Sequence, residues 1–192
     1  MKRLILFFFA VLAALTATAA ALQLDQQALA GKLIRLHVVA NSDSDEDQAV
    51  KLQVRDAVLA VTEGLDRQEL EQALPAIQAA AEQCLADLGR RDRVQVSLGQ
   101  ERFPTRLYDS FSLPAGVYTA LRVTIGAGEG QNWWCVAFPS ICFRATAADL
   151  EAAAVSAGFT GEEIALITEA DEGYVLKFKL LELLAQLKDW MF

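Results

Sequence analysis

The fold is decided by residues 32–61, which read KLIRLHVVANSDSDEDQAVKLQVRDAVLAV. Large aliphatic side chains occupy every second position from Ile34 to Val38, with Arg35 and His37 between them. This period of two predicts a half-buried strand. Polar residues at 41–44 then break the strand and offer several N-caps. Beyond them, valines recur at helical spacing to the end of the stretch, which predicts an amphipathic helix directly after the strand.

Three further strands are predicted after this strand–helix unit. They cover residues 93–98, 117–125 and 133–138. The last two flank the glycine loop GAGEG at 126–130, and this arrangement predicts a hairpin. Together with the helices, the strands predict an α+β fold. We expect a single domain over residues 22–192, with a small mixed or antiparallel sheet of about four strands packed by helices.

Caps and stops mark the helix boundaries. Asp66 and Glu69 have the spacing of a capping box, and Pro75 ends or restarts the helix that they begin. Gly89 is typical of the residue that follows a helix C-terminus. The last apolar stripe predicts a helix from about 174 to 190.

The first 21 residues have the three-part pattern of a secretory signal. Lys2 and Arg3 precede an apolar run from Leu4 to Leu15, and small residues follow as far as Ala21. Cleavage after Ala19 or Ala21 fits the pattern. An uncleaved anchor is the alternative, since the run is marginal for a hydrocarbon core of about 30 Å. Both interpretations deliver the remaining chain across a membrane, so we expect a secreted domain whose membrane contact is confined to this segment.

The amino-acid composition and net charge of the chain limit the kinds of molecule that it can bind. The 192 residues carry a net charge of −8, with 54% hydrophobic and 22% charged residues. These fractions exclude a disordered or collagen-like chain. Because an acidic chain repels phosphates, we expect no nucleic-acid partner.

Two patterns in the sequence resemble ligand-binding motifs without matching them. Asp43, Asp45 and Asp47 alternate as in a calcium loop, but Gln48 stands where an EF-hand needs glycine. These carboxylates are better explained as first-turn residues of a helix. The 126–130 loop follows a strand, as nucleotide-binding loops do, but it precedes another strand and not a helix N-terminus. We therefore predict no metal site and no cofactor.

Three cysteines and one histidine limit the covalent chemistry. Cys84 has helical spacing with apolar neighbours, which predicts a buried thiol. Cys135 and Cys142 flank a segment that can fold back at Pro139, so a disulfide and two buried thiols are open alternatives. His37 is expected on the outer face of the first strand. Any Cys–His mechanism has to use it, and a strand-surface histidine without catalytic duty is the competing interpretation.

Two blocks of the sequence resemble a known family. The first is IRLHV at 34–38, which continues through ANSDS at 40–44. The second opens with LPAG at 113–116 and includes the run NWWCVAFP at 132–139. With the N-terminal segment and the final helix, these blocks resemble stage II sporulation protein R of endospore-forming bacteria.

The resemblance implies a signal and not an enzyme. Proteins of this family are made in the forespore and exported into the space between the two septal membranes. There they trigger a membrane-embedded aspartic-type protease, which removes the pro-sequence of the sigma factor E precursor. Two alternatives are a secreted hydrolase that uses His37 with a cysteine, and a structural protein of the envelope.

If the protein is such a signal, we expect two surfaces to contact the receptor protease. The candidate contact residues are Asn41, Ser42, Asp43 and Asp47 in the loop before the first helix of the domain, and Trp133 and Trp134 in the last strand. Adjacent residues on a strand point to opposite faces, so one tryptophan is expected to anchor the core and the other to offer an aromatic contact. The alternative is that both motifs only specify the fold.

Overall fold

A computed structural model of the chain describes residues 2–108, 111–142 and 147–168. Its elements, in chain order, are α1 (Lys2–Lys32), β1 (Ile34–Val39), α2 (Asp45–Thr62), α3 (Arg67–Gln72), α4 (Leu74–Asp87), β2 (Val94–Phe103), β3 (Arg106–Leu107), β4 (Ser112–Leu113), β5 (Gly116–Ile125), β6 (Asn132–Phe138), α5 (Ala147–Ser156) and α6 (Gly161–Thr168).

Four of the strands form one mixed sheet in the order β2-β5-β1-β6. β1 runs parallel to β5, with Ile34 opposite Thr119, and antiparallel to β6, with His37 opposite Trp134. β2 pairs with β5 in antiparallel register along its whole length. The short strands β3 and β4 form a separate two-stranded hairpin. The predicted α+β fold with a four-stranded sheet is confirmed.

The first hydrophobic core lies between one face of the sheet and helices α2 and α4. β1 contributes Ile34, Leu36 and Val38 to this core, and the valine stripe of α2 packs on them. Val54 and Val58 are fully buried, as the helical spacing predicts. Burying one such side chain stabilises the fold by about 1.5–3 kcal/mol before the entropy cost of ordering it. This core therefore fixes the strand–helix unit on which the rest of the fold is built.

The second core covers part of the opposite face of the sheet. It contains Phe103 and Tyr118 from the sheet, Leu29 from the end of α1, and apolar residues of α5 and α6. Because helices lie on both faces, all six residues of β1 are buried. The prediction of a half-buried strand is wrong for this reason. The alternating aliphatic residues of β1 face the first core, and the residues between them face the covered opposite side of the sheet and not solvent.

The predicted hairpin between the last two strands is also wrong. β5 and β6 are consecutive in sequence, but β1 lies between them in the sheet. The 126–130 loop therefore crosses over the end of β1. A local pattern of two strands and a glycine loop cannot distinguish this crossover from a hairpin, because the difference depends on a strand ninety residues earlier in the chain.

The predicted helix boundaries agree with the structure. Asp66 and Glu69 form a reciprocal capping box at the start of α3. Pro75 lies in the first turn of α4, so it starts a helix and does not end one. Gly89 follows α4 with φ of 68°, a backbone conformation that glycine adopts without strain.

The N-terminal segment forms the first part of α1. Ile5, Leu6, Phe7, Phe8 and Phe9 are all more than half exposed and do not belong to either core. In the part of the chain that the structure describes, no helix is both long and apolar enough to span a membrane. Removal of residues 1–21 stays a prediction, and the predicted helix at 174–190 lies outside the described residues.

Candidate functional site

The loop that links β1 to α2 is held together by the buried carboxylate of Asp47. Ser42 Oγ donates to Asp47 Oδ2 over 2.6 Å, and Asn41 Nδ2 donates to the same oxygen over 2.8 Å. Ser44 caps α2 by accepting from the backbone N–H of Asp47 at 3.2 Å. These hydrogen bonds from Ser42 and Asn41, with help from Arg90, lower the pKa of Asp47 from 3.8 to about 2.

Arg90 connects this loop to the turn between α4 and β2. Its guanidinium contacts Asp47 Oδ1, Glu46 Oε1 at 2.8 Å and Asp92 Oδ2 at 2.7 Å. Asp92, Asp47 and Glu46 together raise the pKa of Arg90 above its ordinary range. Because Asp47 is bonded to Ser42, Asn41 and Arg90, its carboxylate is a structural group of the loop.

The glycine loop at 126–130 packs directly against the same β1–α2 loop. Ala127 N–H donates to Asn41 Oδ1 at 2.9 Å, and Glu129 N–H donates to the Asn41 carbonyl at 3.2 Å. Lys51 of α2 reaches across to the Gln131 carbonyl at 3.0 Å. The crossover from β5 to β6 is therefore attached along its length to residues that follow β1.

Two glycines permit this close approach. A Cβ at Gly126, where φ is +58°, would collide with the Asn41 side chain. A Cβ at Gly130 would lie 2.6 Å from the Ser42 carbonyl carbon and 2.8 Å from Ala40 Cβ. The loop is thus glycine-rich because another loop occupies the space of its side chains, which gives a structural reason for a pattern that resembles a phosphate-binding motif.

The two adjacent tryptophans lie on opposite faces of β6, as strand geometry predicts. Trp133 is 36% exposed, and the Arg55 guanidinium of α2 lies 4.4 Å from its ring centroid. Trp134 is half-buried against the second core, between Arg106 at 3.7 Å and the His37 ring at 5.6 Å. Only Trp133 therefore presents its ring at the end of the sheet where the two loops meet.

The structure brings together most of the predicted contact residues at one end of the sheet. Asn41, Ser42 and Asp47 form the base of this end, and Asp43 is exposed in the same loop. Trp133 lies on β6 opposite Val38, close to the end of β1 from which this loop begins. We call this end of the sheet, formed by residues 41–47, 126–130 and Trp133, the loop surface. Trp134 faces the other side of the sheet and does not belong to it.

His37 is buried, so the prediction of a strand-surface histidine is wrong. Its Nδ1 lies 2.6 Å from Glu101 Oε1, and its Nε2 lies 2.7 Å from Asn132 Oδ1. Glu101 also accepts from Arg122 at 3.0 Å. Both ring nitrogens are occupied because β1 lies in the middle of the sheet and its neighbours supply polar partners on this face.

The cysteines do not join His37 in a catalytic arrangement among the described residues. Cys135 and Cys142 form a disulfide with a Cα–Cα distance of 5.6 Å. Cys84 is half-buried on α4, against the first core. Burial raises the pKa of the Cys84 thiol, and the charges of Asp87 and Asp56 add to the rise, which disfavours the reactive thiolate. Nothing in the described geometry supports a Cys–His hydrolase.

Comparison with known proteins identifies the family. The family model for stage II sporulation protein R matches residues 30–148. The chain belongs to the stage II sporulation protein R family. A curated relative, stage II sporulation protein R of Bacillus subtilis (strain 168), is 42% identical over 119 residues, which cover 57% of this chain and 53% of the relative. The chain thus spans about half the length of this relative. No solved structure matches the chain.

The region shared with the stage II sporulation protein R family contains the first core, the strands that contribute to the second core and the whole loop surface, but it leaves out α6 and nearly all of α5. It begins at residue 30, near the end of α1, and therefore leaves out the apolar N-terminal segment. The match supports sporulation as the biological setting of the chain.

Four residues of the site were not found from the sequence. Glu101 and Asn132 contact His37, Arg90 joins Asp47, and Arg55 covers Trp133. Only Arg55 carries a sequence signal, since it lies on the helix that follows β1 at a position off the valine stripe. The other three are brought to their partners by strand order or by a turn, which short-range patterns do not encode.

Proposed function

We propose that this chain is an exported signalling protein of sporulation that activates a membrane-embedded aspartic-type protease. Activation of that protease leads to processing of the sigma factor E precursor. The observation that carries the proposal is the family match over residues 30–148. The exposed apolar side chains at the start of α1 support it, because an export or anchor segment needs an apolar face free of the domain.

The mechanism we propose is activation by docking. A ligand shifts a receptor towards its active state only when it binds that state more tightly than the inactive one. The protein then needs a rigid surface more than a reactive group. The loop surface fits this requirement because the hydrogen bonds of Asp47, Asn41 and the 126–130 loop hold it in one shape.

Within the loop surface, Trp133 and Asp43 are the residues we propose to contact the receptor. Trp133 combines a large apolar ring with partial exposure, the property that binding hot spots share. Asp43 is exposed in the same surface, and its charge interacts with that of Lys51. Asn41, Ser42 and Asp47 are proposed to act indirectly, by holding the loop on which Asp43 lies.

Co-expression tests activation directly. The full chain is produced in a non-sporulating host with the receptor protease and the sigma factor precursor, and precursor cleavage is followed by immunoblot. We expect cleavage that depends on the chain. Absence of cleavage with all three proteins present at normal levels contradicts direct activation.

Substitution of Trp133 tests whether the loop surface contacts the receptor. We expect Trp133→Ala to weaken activation by about 30-fold, the effect of removing a binding hot spot. Val117→Ala is the matched control, since Val117 is 48% exposed and lies at the start of β5, the opposite end from the loop surface. Equal activity of the two variants, at equal exported levels, would exclude Trp133 from the contact.

A further inference from the structure

Arg35 is a buried cation without a carboxylate partner in the described part of the chain. Its side chain on β1 is fully buried, and it faces the second core. The guanidinium carbon lies 4.2 Å from the centroid of the Phe103 ring and 5.1 Å from that of Tyr118. Nη2 donates to Tyr108 Oη at 2.9 Å, but Nε and Nη1 have no hydrogen-bond partner. The three N–H groups on Nε and Nη1 are therefore unsatisfied.

The aromatic contacts do not offset the free-energy cost of burying the charge of Arg35. Interaction with aromatic faces stabilises a desolvated cation by less than the cost of removing an unpaired charge from water. A buried guanidinium normally meets a carboxylate or phosphate that accepts from several of its N–H groups. Only Nη2 of Arg35 thus has a hydrogen-bond partner among the described residues. The N–H groups on Nε and Nη1 can donate to an anion.

A second arginine of the same type lies close by. Arg106 on β3 stacks on the Trp134 ring at 3.7 Å, and its Nε is also buried without a partner. Tyr108 connects the two arginines, because it accepts from Arg35 and donates to the Trp134 carbonyl at 3.3 Å. Among the described ion pairs, neither arginine has a carboxylate.

Two other arginines of the described chain have carboxylate partners, which Arg35 and Arg106 lack. Arg90 is bonded to three carboxylates, and Arg122, on the same sheet face as Arg35, is bonded to Glu101. Both are more exposed to solvent than Arg35, and so need a partner less. Among the described arginines that are not exposed to solvent, only Arg35 and Arg106 therefore lack a carboxylate partner.

We propose that Arg35 and Arg106 form a binding site for a carboxylate group. The unpartnered side-chain atoms of Arg35 and Arg106 are all N–H donors, which selects an anion. A carboxylate is planar and carries one charge, so it fits beside guanidinium groups stacked on ring faces with a smaller desolvation cost than a phosphate. Arg106 and Tyr108 are half-buried, so this side of the arginine pair, beside the short β3–β4 hairpin, is partly open to solvent.

The carboxylate can come from a free small molecule or from an acidic side chain of a polypeptide. Two probes separate these sources: sodium acetate, and the capped tripeptide acetyl-Gly-Glu-Gly-amide with its glutamine analogue as control. Thermal unfolding of the full chain is measured with each probe against sodium chloride at equal ionic strength. A ligand present at ten times its dissociation constant raises the Tm by about 3 °C for a chain of this size.

We expect acetate, the glutamate peptide or both to raise the Tm beyond the effect of chloride. A response to acetate assigns the site to small carboxylates, and a response to the peptide alone assigns it to a side chain. The response is expected to disappear in Arg106→Gln and to persist in Arg55→Gln. Arg55 is the matched control because it also stacks on a tryptophan but is paired with Asp56.

An NMR measurement on the wild-type chain tests the role of Arg35 even where the Arg35→Gln variant does not fold. Where Arg35→Gln does not fold, the Nε–H resonance of Arg35 in the wild-type chain reports the contact, and we expect it to shift on titration with the active probe. The proposal is overturned if neither probe exceeds chloride, or if Arg106→Gln and the wild-type chain respond equally. This proposal is independent of the loop surface and of protease activation.

Discussion

The contact between the glycine loop and the β1–α2 loop predicts that Gly130→Ala destabilises the fold. Gly130 N–H donates to the Ala40 carbonyl at 3.0 Å, which holds the two loops together. An added Cβ would lie 2.6 Å from the carbonyl carbon of Ser42 and 2.8 Å from Ala40 Cβ. Both distances are well below van der Waals contact, and the first involves backbone that cannot rotate away. The loops therefore have to separate.

The size of the effect follows from this overlap. Forcing one extra carbon into a packed site costs about 1–3 kcal/mol. Separating the loops also weakens the hydrogen bond from Glu129 N–H to the Asn41 carbonyl, which adds about 0.5–1.5 kcal/mol. Together these costs amount to about 1.5–4.5 kcal/mol, which corresponds to a fall in Tm of roughly 3–18 °C for a chain of this size.

Urea unfolding followed by far-UV circular dichroism measures the loss. Gly99→Ala is the matched control, because Gly99 lies inside β2 and has no atom within 4 Å of its added Cβ. Alanine at that position is expected to be neutral or slightly stabilising, since it restricts the unfolded chain. If the two variants unfold within about 0.5 kcal/mol of each other, a difference smaller than such packing effects, the loops are not packed as described.

Three other features give quantitative expectations. Replacing Cys135 and Cys142 by serine opens an eight-residue loop and is expected to lower the free energy of unfolding by about 2.5 kcal/mol, measured in urea; an intact mass that does not rise by two hydrogens on reduction would contradict the disulfide. The pKa of Asp47, about 2 in the folded chain against 3.8 ordinarily, predicts stability that is present above pH 4 and lost as the pH falls towards 2. In Asp47→Asn this part of the Tm–pH curve should flatten, and an unchanged slope would contradict the assignment. Asp66→Ala removes both the cap and the capping box of α3 and is expected to cost about 1 kcal/mol in urea unfolding, whereas loss below about 0.3 kcal/mol would argue against the cap.

Sequence patterns predicted the parts of the fold that depend on near neighbours. The valine stripe of α2, the capping box at Asp66 and the stop at Gly89 each involve residues within one or two helical turns. The mixed four-stranded sheet followed from counting such elements. These features were predictable because helix periodicity and caps are properties of a short segment, whatever surrounds it.

The errors all arose from the position of β1. Its alternation of Leu36 with His37 is what a strand at a solvent boundary shows. Leu36 is buried in the first core, and His37 is buried as well because the opposite face of the sheet is also covered. The pairing of His37 with Glu101 and Asn132 likewise depends on strand order. The candidate site was predicted as two separate segments, and their meeting at one end of the sheet required the crossover from β5 to β6.

The central place of β1 also determines when the protein can fold. β1 is the first strand of the chain, yet both of its neighbours, β5 and β6, are among the last elements to appear in sequence. In any process that delivers the chain from its N-terminus, the first strand has to wait unpaired until β5, which ends at Ile125, has arrived, and its second partner follows only with β6. Such long-range pairing closes slowly, so the sheet assembles after delivery of the chain and not during it. A chain that must cross a barrier in extended form gains from this delay, because no finished sheet exists to obstruct its passage.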